Sequence, residues 1–126
     1  MKLKIFILII ISLLFFSCEE DGSGYGTFAL VFNNSRNTRE VVTIYLDGEI
    51  KSTTFFIQPQ QSHSSSIACE DRAYAASLDN ILFLTYVSAG KHQIKIEDYA
   101  TKRVLWEHDF TIQSDDCGAQ PYQLVP

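Results

Sequence analysis

Beyond its first two dozen residues the chain offers no helix of useful length. It offers short β-prone apolar runs, each cut off by a turn signal. Thr27 to Phe32 is the first run. Val41 to Leu46 is the second, and it stops at Asp47-Gly48, a pair that accepts the positive φ angles of a two-residue hairpin turn. Thr53 to Ile57 ends just before Pro59, which has no N–H to give to a ladder. Ile81 to Val87 is apolar on both faces, as a buried strand is, and Ala89-Gly90 follows it as a turn. His92 to Asp98 and Arg103 to Gln113 alternate clearly, Ser62 to Cys69 alternates weakly, and Tyr122 to Val125 suits a last edge strand. Ala73 to Leu78 is the one plausible helical turn, too short to be stable alone. Six to eight strands at this spacing predict an all-β fold, a small antiparallel β-sandwich.

The hairpin from His92 to Gln113 can be read in register. Ile94 and Ile96 lie on one face, answered by Val104, Trp106, Phe110 and Ile112. Pairing Ile96 with Val104 brings Glu97 opposite Arg103, Asp98 opposite Lys102 and Lys91 opposite Asp109. Each such pair is worth a few tenths of a kcal/mol, and agreement among them helps to set a register. The same choice sets His92 opposite His108 at the end of the core, a pair able to hold a metal with His63, or to respond to pH near the histidine range. Two imidazoles alone do not define a zinc site, and a structural role is the expected one.

The start of the chain gives an address. Lys2 and Lys4 precede a 12-residue uncharged run, Ile5 to Phe16, with Ser12 its one polar residue. A basic start and a short apolar run make a secretory signal, and the run falls short of the roughly 20 residues that span a bilayer. Leu14-Phe15-Phe16-Ser17-Cys18 resembles the lipobox of bacterial lipoproteins, with Phe15 at the place the family usually gives to Leu. The resemblance implies cleavage before Cys18 and acylation of its thiolate, so that 1–17 is a signal peptide, 18–25 a lipidated tether and 26–126 the folded domain. Glu19-Glu20-Asp21 follows the lipid site, and some Gram-negative lineages use a similar acidic run to send lipoproteins to the cell surface. The expected location is the outer membrane or cell surface, reached through lipid with no spanning segment.

Cleavage leaves 109 of the 126 residues, the size of one domain. It removes two of the 10 basic residues, so that 8 stand against 15 acidic ones, a formal charge of −7. That balance argues against nucleic-acid binding, which needs a basic patch. With Cys18 lipidated, Cys69 and Cys117 remain in an exported chain, and a disulfide is the expected state. The rival is a metal site using both thiolates. It would need two further ligands, and the chain has no Cys-x-x-Cys or His-x-x-x-His to supply them.

The run Thr43-Ile-Tyr-Leu-Asp47-Gly48-Glu49, then Ala89-Gly90-Lys-His92-Gln-Ile94-Lys-Ile96, then a strand pair ending in Thr111-Ile112, resembles the PEGA-type β-sandwich repeat. The segment Trp106 to Ile112 followed by Cys117 is also similar to the C-terminal end of many small exported lipoproteins. Both resemblances imply an extracytoplasmic interaction module without catalytic residues or cofactor. Paired carboxylates at Glu70-Asp71, Glu97-Asp98 and Asp115-Asp116 are ordinary turn chemistry, and no nucleophile or phosphate-loop motif is present. Phe55, Phe56 and Tyr86 are the aromatics with a possible wet face, where sugars or proteins could bind, although core filling is their usual use. The expected function is a membrane-tethered binding or structural module whose partner is another envelope protein. The second expectation is an inhibitor whose acidic body docks into a basic enzyme such as a lysozyme, through Gln58 to Ser66 as a projecting loop.

Overall fold

The first apolar run becomes β1 (Tyr25–Asn34), buried along nine of its ten residues. The computed structural model describes residues 24–124; the expected signal peptide, Cys18, the acidic run, Val125 and Pro126 lie outside the described residues. Phe28, Leu30 and Phe32 point into the main core, while Ala29 and Val31 point the opposite way into a second small cluster. This double burial explains why the run shows no polar alternation.

The other runs give β2 (Glu40–Leu46), β3 (Glu49–Ile57), β4 (Ile81–Ser88), β5 (Gly90–Asp98), β6 (Val104–Ile112) and β7 (Cys117–Leu124). The seven strands among the described residues form two sheets, β4-β1-β7 and β3-β2-β5-β6, so the all-β sandwich is observed. Val42, Ile44, Ile94, Ile96 and Ile112 of the larger sheet meet Phe28, Leu30, Phe32 and Leu84 of the smaller. Phe110 stacks on Phe28 with ring centres 3.8 Å apart. Asp47 (φ 52) and Gly48 (φ 81) make the hairpin turn expected of that dipeptide.

Between β3 and β4 the chain forms two single-turn helices, α1 (Ile67–Glu70) and α2 (Arg72–Ala75). Neither could persist alone. Asp71 accepts a hydrogen bond from the Tyr74 N–H at 3.2 Å, and Ala68, fully buried, closes the outer face of β1 over Ala29 and Val31. The disulfide is present: Cys69 of α1 is bonded to Cys117 of β7, with their Cα atoms 5.7 Å apart. It fastens the helical cap to the outside of the smaller sheet rather than joining the two sheets.

Four expectations are corrected. Ser62 to Cys69 is not a strand, because buried asparagines organise this crossing between sheets. Asn80 brackets the Gln58 backbone (2.6 and 3.0 Å), Asn34 exchanges backbone bonds with Gln61, and Asn33 Oδ1 accepts from the His63 N–H at 2.8 Å. The crossing backbone is thus satisfied without a ladder, and the chain coils into α1. The last strand is longer than Tyr122 to Val125 and is parallel to β1, Thr27 pairing with Cys117 and Phe32 with Tyr122. The short turn after β6 crosses to the other sheet at the end where β1 begins, so the sandwich is not wholly antiparallel.

The third correction is the register of β5 and β6. Ile96 faces Trp106, Ile94 faces His108 and His92 faces Phe110, a slip of two residues from the expected pairing. A bulge after Ile96 then sets Glu97 opposite Val104, which turns out of the core and is exposed. From His92 to Ile96 a slip of two keeps each side chain on its face, so the apolar pattern there does not distinguish the registers. The loop does. Tyr99 to Arg103 form a five-residue connection in which Lys102 takes a positive φ of 62°, and Asp98 accepts from the Thr101 N–H (2.8 Å) and hydroxyl (2.9 Å). The three charge pairs dissolve with the old register: Lys91 faces Thr111, Glu97 faces Val104, and Lys102 lies 4.6 Å from the Tyr99 ring. The fourth correction follows directly, since His92 and His108 are not opposite one another.

Cys69 and Cys117 close a loop of 48 residues in the unfolded chain. Replacing both by Ser is expected to lower the unfolding free energy by about 4 kcal/mol, read from urea midpoints against the oxidised protein. A change below about 1 kcal/mol would mean that the bridge adds nothing beyond the packing around it.

Candidate functional site

The two histidines singled out by the sequence have separate structural duties. His92 stands between two oxygens that can only accept hydrogen bonds: Asp47 Oδ2 at 2.5 Å from Nδ1, and the Ser88 carbonyl at 2.5 Å from Nε2. Both ring nitrogens therefore donate, which describes the imidazolium. Burial works against this charge, but the hydrogen bond to Asp47, the Ser88 carbonyl and the Asp47 charge outweigh it, so the His92 pKa is raised. Burial also works against the Asp47 carboxylate. Bonds from His92 and the Gln93 N–H, with the charges of His92 and Lys51, reverse that effect and lower its pKa. The clamp ties the β2–β3 turn to the end of β4.

His108 stacks on Trp106, with ring centres 5.0 Å apart and planes 6° apart. His63 is bonded through its N–H to Asn33, at the opposite end of β1 from the Tyr25 that pairs with Ser88. The structure does not bring the three imidazoles together, and among the described residues no cluster of three metal-ligating side chains occurs.

What the structure does bring together is a cleft of about 530 Å³ at the end of the sandwich where β1 begins. Its floor is the start of β1. Gly26 has no room for a side chain there, because a Cβ would lie 2.8 Å from the Gln113 carbonyl and 2.9 Å from that of Asp116. Arg72 of α2 forms one wall, its Nη2 3.1 Å from the Thr27 hydroxyl, and among the described residues it has no ion-pair partner. The turn between β6 and β7 forms the facing wall. There Asp115 donates its N–H to the Tyr25 carbonyl (2.8 Å), and the Asp116 carbonyl accepts from the Thr27 N–H (2.9 Å).

The mouth is aromatic. Tyr25 is 59% exposed and Tyr86 83% exposed, and their rings meet edge to face at 6.5 Å. Tyr86 sits in a bulge: Gly26 pairs with Val87 and Phe28 with Leu84, leaving Thr85 and Tyr86 together opposite Thr27. Its φ is +56°, a left-handed conformation that costs a non-glycine residue about 1–2 kcal/mol. Bulges that re-aim a side chain, and strained bulky residues, concentrate at functional sites.

Of the three aromatics with an expected wet face, Phe55 packs on Phe32 (5.1 Å) and belongs to the core. Phe56 is 46% exposed beneath the Arg39 guanidinium (4.6 Å), and Tyr86 is the most exposed. Sequence reasoning missed Tyr25, which it left in the tether, and Arg72, and it set Asp115 aside as turn chemistry; Arg72 and Asp115 become neighbours only through the helical cap and the crossing turn. No protein-family model, curated protein or solved structure matches this chain.

Two outcomes are expected. The raised His92 pKa belongs to the folded state, so its stabilisation is complete below the unfolded value of about 6.5 and is lost as pH rises through the folded one. That of Asp47 is present above about 3.9 and lost as pH falls through its depressed value. The melting temperature should be higher near about pH 5.5 than near about pH 8.5, and His92→Gln should flatten this difference. A steeper rise toward alkaline pH would contradict the clamp. For Tyr86, relief of the left-handed strain (about 1–2 kcal/mol) opposes the added chain freedom of glycine (about 0.5–1 kcal/mol), so Tyr86→Gly should keep or raise the urea midpoint. Tyr86→Val should lower it, since a β-branched residue tolerates positive φ least.

Proposed function

We propose that this chain is a non-catalytic, lipid-anchored binding module of the cell envelope, presenting the Tyr25–Tyr86 cleft to its ligand. The observation that carries the binding role is Tyr86, an aromatic ring held almost wholly in water on a strained bulge at the mouth of a cleft. A strained residue whose ring adds little to the core has its explanation outside the fold. The anchoring role rests on the lipobox-like run ending at Cys18 and on the Cys69–Cys117 bridge, which suits an oxidising compartment. Cys18 stands seven residues before Tyr25, so the cleft would lie within about 25 Å of the lipid along an extended tether.

The non-catalytic reading has support in the dispersal of the imidazoles: His92 is locked between Asp47 and Ser88, His108 is stacked on Trp106, and His63 lies at the other end of β1 with its Nε2 buried and unpartnered among the described residues. The inhibitor reading called for a projecting loop at Gln58 to Ser66. That stretch is bonded back to Asn33, Asn34, Arg36 and Asn80 instead. The envelope module is therefore the better reading.

Feeding cells an alkyne-bearing fatty acid tests the anchor. The full-length chain should take up the label and sediment with membranes, and Cys18→Ser should do neither. An unlabelled wild-type protein would overturn the anchored reading.

A further inference from the structure

The geometry points to a neutral saccharide as the ligand of the Tyr25–Tyr86 cleft, an inference that rests on the cleft being the module's binding surface. At about 530 Å³ the cleft is within the usual range of roughly 300–1,000 Å³ for small-molecule sites. A second concavity of about 570 Å³ lies between the start of β5 and the end of β6, but no aromatic or acidic side chain of the described residues lines it.

The bulge that presents Tyr86 also breaks the exposed edge of β4, which discourages pairing with another chain. Glycine or asparagine would make the same bulge with less strain. The aromatic ring is therefore the feature that needs a reason. With Tyr25 it offers apolar faces of the kind that stack on the C–H surface of a sugar ring, while the phenol hydroxyls stay in water.

The polar lining narrows the class further. Among the lining residues Arg72 carries donors only, Asp115 and Asp116 carry carboxylates that accept only (Asp116 Oδ1 already accepts from the Cys117 N–H at 3.0 Å), and Thr85 and Ser114 carry hydroxyls that do both. A ligand that satisfies all of them must itself donate and accept over a short distance, as vicinal hydroxyls do. The charges favour neutrality. Two carboxylates against one guanidinium repel phosphate, which excludes nucleic acids and anionic headgroups as preferred occupants. A wholly apolar ligand would strip water from these groups without replacing their hydrogen bonds.

The test uses the full mature chain in detergent and saturation-transfer NMR with four probes: cellotetraose, maltotetraose, tetra-N-acetylchitotetraose and glycerol 3-phosphate. Transfer is expected to at least one neutral oligosaccharide and not to the phosphate. Tyr86→Gly, which should stay folded, is expected to weaken that binding about ten-fold or more, and Asp115→Asn should weaken it as well. No transfer to any of the oligosaccharides overturns the inference, as does stronger transfer to glycerol 3-phosphate or binding that Tyr86→Gly leaves unchanged. None of these results would alter fatty-acid labelling at Cys18, so the sugar reading can fail while the anchored reading stands.

Discussion

The central constraint is that β1 must be covered on both faces. Leu30 and Phe32 are fully buried against the larger sheet, and Ala29 and Val31, equally buried, face away from it. A three-stranded sheet with a bare outer face would leave those side chains in water. The cover is a pair of four-residue helices, far below the length at which a helix holds itself together. Ala68 seats the cap on β1, Asp71 caps its second turn and the disulfide prevents it from leaving.

The same device builds the cleft. Cys69 lies three residues before Arg72, and Cys117 directly follows Asp116. The disulfide therefore joins the wall that carries the guanidinium to the wall that carries the carboxylates. Gly26 lets the crossing turn lie against the start of β1, and the bulge opposite Thr27 turns Tyr86 toward the mouth. Structural and functional demands meet at this end of the sandwich, where the His92 clamp also secures the turn after β4.

Much of the fold was legible in the sequence because it depends on local chemistry. The β-prone runs, the Asp47-Gly48 turn and the partnership of Cys69 with Cys117 all follow from composition, turn preference and the count of cysteines left once Cys18 is set aside. The β5–β6 register was not legible, because registers two residues apart bury the same faces, and Asp98 capping Thr101 outweighs solvent-exposed charge pairs. Parallel pairing of β7 with β1 depends on where a crossing turn delivers the chain, which no run of residues records. Of the cleft, only Tyr86 was visible in advance as a candidate for exposure. Its positive φ, and the meeting of Tyr25, Arg72 and Asp115, arise from contacts between segments distant in sequence.

The seating of the cap on β1 is open to a direct measurement, the urea unfolding of Ala68→Asp. Ala68 is fully buried and its neighbour Cys69 is bonded to β7, so the new carboxylate has nowhere to swing. With the cap seated as described, the unfolding free energy should fall by several kcal/mol, the cost of an unpaired charge placed in an apolar contact. A change within about 0.5 kcal/mol, typical of an exposed position, would mean that the helices merely drape over the sheet and that β1 is not a doubly buried strand.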